Sequence, residues 1–169
     1  MTTRVVDTLP ELTAAVLELP EGPDSVALCD FDGSLMNGYS AVAFLREQLR
    51  RGDFSAKQFV EMAAVMTRFG LGDIGFSAMM ATAMQFLRDT PEADFEAFGE
   101  TLYEKHIAKE IYPEARALVE AHQKRGHTVA IVSSATRFQV EDAAEILGIE
   151  HVLCSELESE DGVFTGEIV

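Results

Sequence analysis

Two aspartates two residues apart form the segment best suited to chemistry. Asp30 and Asp32 lie in the sequence DFDGSL, residues 30–35, directly after the apolar run 26–29. Gly33 permits the backbone to turn there. One carboxylate can attack a phosphorus atom while the second reaches the leaving oxygen from the same side. Two negative charges so close need a cation, and oxygen ligands favour Mg²⁺. We therefore predict Asp30 and Asp32 as catalytic and metal-binding residues.

A second polar segment follows another apolar run. Ser133 comes after residues 128–132, and we expect its hydroxyl and the backbone N–H groups of Ser134 and Ala135, opening the next helix, to face a phosphate. Read alone, these residues favour an ordinary helix cap, whereas beside the Asp30 segment they favour phosphate binding. Among the basic residues, Arg137 is nearest to both segments, although solvation of a helix explains it equally well. The predicted phosphate-binding set is Gly33, Ser34, Ser133, Ser134 and Arg137.

The elements that position these residues predict an α/β fold. Strands are expected at 26–29, 128–132 and 151–154, the first of them buried on both faces, with helices at 8–19, 113–124 and 136–147. Helices alternating with apolar strands indicate a Rossmann-like parallel sheet in a three-layer core. Asp161-Gly162 between two strand-like stretches predicts a final β-hairpin.

A long helical insertion separates the first two strands. Residues 37–110 repeat apolar side chains at helical spacing, and the crossover itself needs only about a dozen residues. We predict a core of residues 1–36 and 111–169, with 37–110 as a helical cap (type C1). The cap leaves from the carboxyl end of strand one, where open parallel sheets bind ligands, so it is placed to act as a lid.

Two patterns within the cap have alternative interpretations. Five methionines either pack between cap helices or line an apolar substrate pocket: Met62, Met66, Met79, Met80 and Met84. The sequence GLGDIG, residues 70–75, matches a dinucleotide-binding fingerprint. That fingerprint requires a preceding strand, and a helical stretch precedes it here, so we interpret it as a turn.

Composition excludes several classes of protein. The chain of 169 residues carries a net charge of −16, which disfavours nucleic acid as a partner. No apolar run is long enough for a transmembrane segment, and residues 1–7 show no secretory signal. With only two cysteines, Cys29 and Cys154, these features predict a cytoplasmic protein.

These motifs resemble the haloacid dehalogenase superfamily, in its phosphoserine-phosphatase-like branch (subfamily IB). The resemblance covers residues 26–35, the insertion, residues 128–133 and the final hairpin. It implies that Asp30 forms an aspartyl-phosphate, Asp32 is general acid and then base, and Ser133 holds the phosphate. It also implies Mg²⁺ bound by the Asp30 side chain and the Asp32 backbone carbonyl. Residues 111–166 are similar to phosphatase-like domains fused to lysophospholipid acyltransferases, although no acyltransferase motif is present.

The sequence departs from that family at its C-terminus. The family's third motif supplies a lysine and its fourth supplies acidic metal ligands, and both are expected beyond the hairpin, where this sequence ends. Two hypotheses follow. The first is a phosphomonoesterase acting on a small phosphorylated metabolite, such as phosphoserine or a phospholipid-pathway phosphate. The second is an incomplete fragment or a regulatory phosphate-binding domain of a larger protein. A homodimer or a missing C-terminal segment is expected to cover the exposed sheet edge.

Overall fold

The structure, a computed structural model, describes residues 8–52 and 55–169, apart from the side chains of Phe76, Ser77 and Met80. The α-helices are α1 (Leu9–Leu17), α2 (Ser40–Arg51), α3 (Ala56–Gly70), α4 (Phe76–Gln85), α5 (Glu92–Leu102), α6 (Pro113–Lys124) and α7 (Arg137–Leu147). A π-helical turn (Tyr103–Ile107) and a 3₁₀ turn (Ala108–Glu110) follow α5. The strands are β1 (Val26–Cys29), β2 (Thr128–Thr136), β3 (His151–Ser155), β4 (Leu157–Glu160) and β5 (Val163–Ile168).

The first three strands form the predicted parallel sheet, in the order β1-β2-β3. Cys29 pairs with Ile131, and Ile131 pairs with Val152. Consecutive strands are neighbours joined by helices, which is the arrangement that right-handed crossovers produce. All three strands therefore end at one edge of the sheet, and the Asp30 and Ser133 segments leave from that edge.

The two faces of this sheet differ in burial. Val129 and Ile131 belong to the hydrophobic core together with side chains of α6 and α7, and both helices contact β2. On the opposite face, Leu28 is 68% exposed and Leu153 is 60% exposed. The prediction that β1 is buried on both faces is wrong, because the described helices α6 and α7 pack on the same side. The described chain builds two of the three predicted layers.

Local signals account for where several elements begin and end. Pro113 occupies the first turn of α6, where its missing N–H costs no hydrogen bond. Gly148 ends α7 with a φ of 66°, a left-handed conformation that glycine adopts without strain. Asp161 and Gly162 have φ values of 50° and 76° and join β4 to β5 as an antiparallel hairpin, as predicted.

The insertion between β1 and α6 is helical, as predicted, and comprises α2–α5 and the two short turns. Aromatic rings connect it to the core: Phe95 of α5 lies 5.6 Å from Phe138 and 5.4 Å from Phe164, centroid to centroid. Residues 70–75 end α3 and lead into α4, so a helix precedes the glycine-rich segment. The division into core and cap at 36/37 and 110/111 stays a prediction, and residues 1–7 lie outside the described residues. In the described chain, no helix has the length and apolar character needed to cross a membrane.

Candidate active site

Asp30 stands at the carboxyl end of β1 with its side chain exposed to solvent. Its Oδ1 accepts a hydrogen bond of 2.9 Å from the backbone N–H of Phe31. Phe31 is fully buried and anchors the loop in the core. Gly33, with a φ of 74°, turns the chain next, and Gly33 and Ser34 are both exposed beside the aspartates. An exposed carboxylate on an anchored loop is free to approach a substrate.

Asp32 is held by the first residue of α2. The backbone N–H of Ser40 donates to Asp32 Oδ1 at 2.7 Å, and the Ser40 hydroxyl donates to Oδ2 at 3.1 Å. Gln139 Nε2 donates to Ser40 Oγ at 2.9 Å. The Gln139 carboxamide oxygen accepts from the N–H and hydroxyl of Thr136, at 2.8 and 2.9 Å. This buried chain of hydrogen bonds connects the end of β2 to Asp32.

The surroundings of Asp32 favour its protonated form. Burial raises the pKa of the Asp32 carboxyl above its ordinary value, and the nearby charge of Asp30 raises it further. The two hydrogen bonds from Ser40 act in the opposite direction because they stabilise the carboxylate. A carboxyl that retains a proton more easily than usual is suited to act as a general acid.

Ser133 lies at the same sheet edge as Asp30, two residues beyond Ile131, the partner of Cys29. Strand β2 continues to Thr136, and its pairing with β3 shifts register between Val132 and Thr136. The prediction that Ser134 and Ala135 open a helix is therefore wrong, because α7 begins at Arg137. Ser133 Oγ accepts the Ala135 N–H at 3.1 Å, and the Ser134 carbonyl accepts the Ser155 hydroxyl at 2.9 Å.

Arg137 makes contacts other than the predicted contact with phosphate. Its Nη2 lies 3.0 Å from a Glu92 carboxylate oxygen, and its Nη1 lies 3.3 Å from Glu141. The guanidinium also stacks over Phe138 at 4.5 Å from the ring centroid. Two carboxylates of α5 and α7 already balance its charge, and phosphate binding by Arg137 stays a prediction.

The donor types at the aspartates fit a magnesium ion. Mg²⁺ keeps several waters and takes one or two carboxylates together with substrate oxygens. Both carboxylate oxygens of Asp32 accept from Ser40, so the Asp30 carboxylate and the Asp32 backbone carbonyl are the ligands that best fit such an ion. Across the described residues, no group of three or more His, Cys, Asp or Glu is arranged to hold a metal.

Sequence reasoning missed Ser40, Thr136 and Gln139. A partial signal exists for two of them, because Thr136 and Gln139 have the Thr-x-x-Gln spacing of a capping box. That spacing indicates the bond between the two residues. The hydrogen bond from Gln139 to Ser40 joins positions 99 residues apart, and no local sequence pattern predicts it.

Comparison with known proteins gives the family of the chain. The family model for haloacid dehalogenase-like hydrolases matches residues 27–169. Phosphoserine phosphatase SerB1 of Mycobacterium tuberculosis is 28% identical over 149 residues, covering 86% of this chain and 48% of that protein. The chain spans about half the length of the first curated relatives it matches.

Two solved structures share the fold. A protein of unknown function from Bordetella pertussis superposes with a TM-score of 0.77 at 21% identity, over 86% of this chain and 66% of that one. A phospho-aspartyl intermediate analogue of phosphoserine phosphatase superposes with a TM-score of 0.56 at 23% identity, over 88% of this chain and 63% of that one. With the family model matching most of the chain, the protein belongs to the haloacid dehalogenase-like hydrolases.

Proposed function

We propose that this chain carries the nucleophile site of a magnesium-dependent phosphomonoesterase. The observation that carries the proposal is the pairing, on one loop at the carboxyl end of β1, of an exposed Asp30 with a half-buried Asp32 that Ser40 and Gln139 hold in place. The two carboxylates differ in surroundings, and such differences assign nucleophile and acid roles. Relatives that carry the name phosphoserine phosphatase support a phosphate ester as substrate.

The reaction proceeds in two steps. A carboxylate oxygen of Asp30 attacks phosphorus and forms an acyl-phosphate bond, while the bond from phosphorus to the alcohol oxygen breaks. Asp32 gives its proton to that leaving oxygen. Water then attacks the phosphorus of the aspartyl-phosphate, Asp32 takes the water's proton, and inorganic phosphate leaves as the Asp30 carboxylate is restored.

Other residues and a metal ion assist in this proposal. Ser133 reaches the same sheet edge from β2 and holds the phosphate, with Gly33 and Ser34 beside it. A bound magnesium ion supplies positive charge that offsets the charge on the transferring phosphoryl group. Ser40, supported by Gln139, orients Asp32.

The first test replaces the nucleophile. We expect magnesium-dependent hydrolysis of p-nitrophenyl phosphate, and we expect Asp30→Asn to lose it, because an amide oxygen cannot form the acyl phosphate. An exposed aspartate before β1 provides the matched control: Asp24→Asn should retain full activity. The measurements are steady-state hydrolysis with and without Mg²⁺ and detection of the phosphorylated protein by mass spectrometry after acid quench.

The contrary result is equally definite. If the unaltered chain and Asp30→Asn hydrolyse the ester equally, Asp30 is not the nucleophile. If neither turns over and no phosphorylated protein forms, the alternative of a non-catalytic phosphate-binding domain is favoured.

A further inference from the structure

An apolar cavity of about 100 Å³ lies between the cap helices α2, α3 and α4 and the start of α7. Its walls are mostly aliphatic and methionine side chains, chiefly Val42, Leu45, Met62, Met66, Met79 and Met84. Of the described side chains that line it, none is charged. The prediction that methionines pack in the core is confirmed for Met79 and Met84, which are buried and also face the cavity. The alternative of a substrate pocket stays a prediction.

The cavity adjoins the candidate active site. Its polar end is formed by Thr136 and Gln139, the residues that connect β2 to Ser40 and so to Asp32. On the other side, Ala41 and Val42 follow Ser40 directly in the first turn of α2. One turn of helix rises about 5 Å, so the cavity begins within one turn of the residue that binds Asp32.

The polar atoms at this end are already engaged. The Gln139 carboxamide oxygen accepts two hydrogen bonds from Thr136, and its nitrogen donates to Ser40. A substrate part bearing an ammonium or a carboxylate would lose its water there without gaining a charged partner, which is costly. An apolar part meets only favourable contacts.

Size and access limit the group that fits. A cavity of roughly 150 Å³ accepts benzene, so the smaller volume here suits a short alkyl chain. Val42 is 40% exposed and Met66 is 42% exposed, so the cavity has a rim open to solvent. Methionine side chains are flexible and polarizable and adapt to alkyl groups of different shape.

We propose that this cavity receives the alcohol part of the substrate, and that the substrate is a phosphate monoester of a short aliphatic alcohol. The inference rests on the proposed phosphomonoesterase function and deepens it by naming the substrate class. Phosphate lies at Asp30 and Ser133, and the alkyl group enters between α2 and α4. The same geometry disfavours a phosphorylated amino acid, whose charged groups would be buried there without a partner.

Methionine methyl NMR on the full chain tests this inference. The probes are two non-hydrolysable phosphonates with the same number of carbons, propylphosphonate and 2-amino-3-phosphonopropionate. Propylphosphonate is expected to bind more tightly, by about fourfold for each methylene that leaves water. It should shift the methyl resonances of Met62, Met66, Met79 and Met84.

A pair of variants on α4 provides the control. Ala83 lines the cavity, whereas Ala81 is exposed on the same helix outside the lining. Ala83→Leu fills the cavity and should weaken propylphosphonate binding at least tenfold. Ala81→Leu adds the same side chain and should leave binding unchanged, and thermal unfolding of both variants reports any loss of folding.

The outcomes separate the two proposals. Equal binding of the two phosphonates, tighter binding of the amino acid analogue, or an unaffected Ala83→Leu variant overturns the substrate class and leaves the phosphate site intact. Binding of neither phosphonate overturns the proposed function, and the substrate class with it.

Discussion

Two acidic side chains at helix α2, Asp32 and Glu47, have opposite electrostatic surroundings. At the first residue of this helix, Ser40 donates two hydrogen bonds to Asp32. Two turns later, the helix carries Glu47, whose side chain is fully buried. Among the described residues, Asp32 has neutral donors and one like charge, that of Asp30, around it. Glu47 is surrounded by the cations Arg50, Arg51 and Lys105 and also contacts the His106 ring.

The pKa values move in opposite directions for this reason. Hydrogen bonds from Arg50 and then His106 hold the pKa of Glu47 well below its ordinary value, despite its burial. Burial raises the pKa of Asp32 instead. A carboxylate bound by cations stays ionised to a lower pH than usual, and Glu47 joins α2 to the turn at 103–107. One without cations can gain and lose a proton, which is what acid–base catalysis requires.

The largest expected effect comes from removing the proton donor. Asp32→Asn should lower kcat/KM for alkyl phosphates by roughly 10²- to 10⁴-fold, the usual contribution of general acid–base catalysis. Its free energy of unfolding at pH 7 should not fall, because the buried charge of the carboxylate has been removed. Steady-state kinetics check the expected loss of kcat/KM, and urea denaturation checks the free energy of unfolding. Activity within tenfold of the unaltered protein would remove Asp32 from the mechanism.

Glu47→Gln should show the reverse. We expect activity to depend on this residue only through folding, and the free energy of unfolding to drop by roughly 2–3 kcal/mol, because partly exposed cations lose the fully buried anion between them. Glu61→Gln is the matched control. In the part of the chain that the structure describes, Glu61 makes one exposed ion pair, with Lys57 at 3.7 Å, so the variant should change stability by less than about 0.5 kcal/mol.

The pH dependence of that loss has a definite sign. Glu47 has a native pKa below the unfolded value of 4.5, so its stabilisation is present above pH 4.5 and is lost as the pH falls through the native pKa. Asp32 has a native pKa above 3.8, so its contribution is present below pH 3.8 and is lost as the pH rises. Urea denaturation over a pH series should therefore show that Glu47→Gln lowers the free energy of unfolding less at acidic pH than at neutral pH. A deficit independent of pH would contradict the ionic role.

Ser40→Ala should produce a smaller change in the pH–rate profile. The Ser40 hydroxyl stabilises ionised Asp32, so its loss raises the pKa of Asp32 further. Activity that requires protonated Asp32 should then persist to higher pH. Ser25→Ala is the control, because Ser25 lies at the amino end of β1 and its hydroxyl bonds the Pro20 carbonyl. An alkaline limb that stays in place or moves to lower pH would argue against protonated Asp32 as the acid.

The smallest effect is expected at Lys105. Its Nζ lies 3.5 Å from Glu47, but its side chain is 48% exposed. Lys105→Ala should lower the free energy of unfolding by less than about 1 kcal/mol, since exposed ion pairs contribute little and the other cations remain. A loss as large as that of Glu47→Gln would mean that Lys105 alone balances the buried charge.

Most elements of the fold could be predicted because their signals are local. The bounds of α6 agree with the prediction from Pro113 and the basic residues at 124–125. The hairpin follows from Asp161-Gly162. The burial of β1 could not be predicted, because an apolar run of four residues reads the same whether one face of the sheet or both are covered.

In the candidate site, too, some features could be predicted from the sequence and others could not. Asp30, Asp32 and Ser133 could be named from their positions after apolar runs, because parallel strands bring such positions to one edge. The contacts of Arg137 could not, since Glu92 approaches it from α5, a helix 45 residues away in the chain.

The sequence by itself determined the parallel strands, the helical insertion and the aspartate pair, because propensity, capping and periodicity act over a few neighbouring residues. Only the tertiary structure decided which carboxylate has its pKa raised and which has its pKa lowered. That outcome depends on the cations and hydrogen-bond donors that distant segments bring to each oxygen, as Gln139 reaches Ser40 and His106 reaches Glu47. Such partners are chosen by packing in three dimensions.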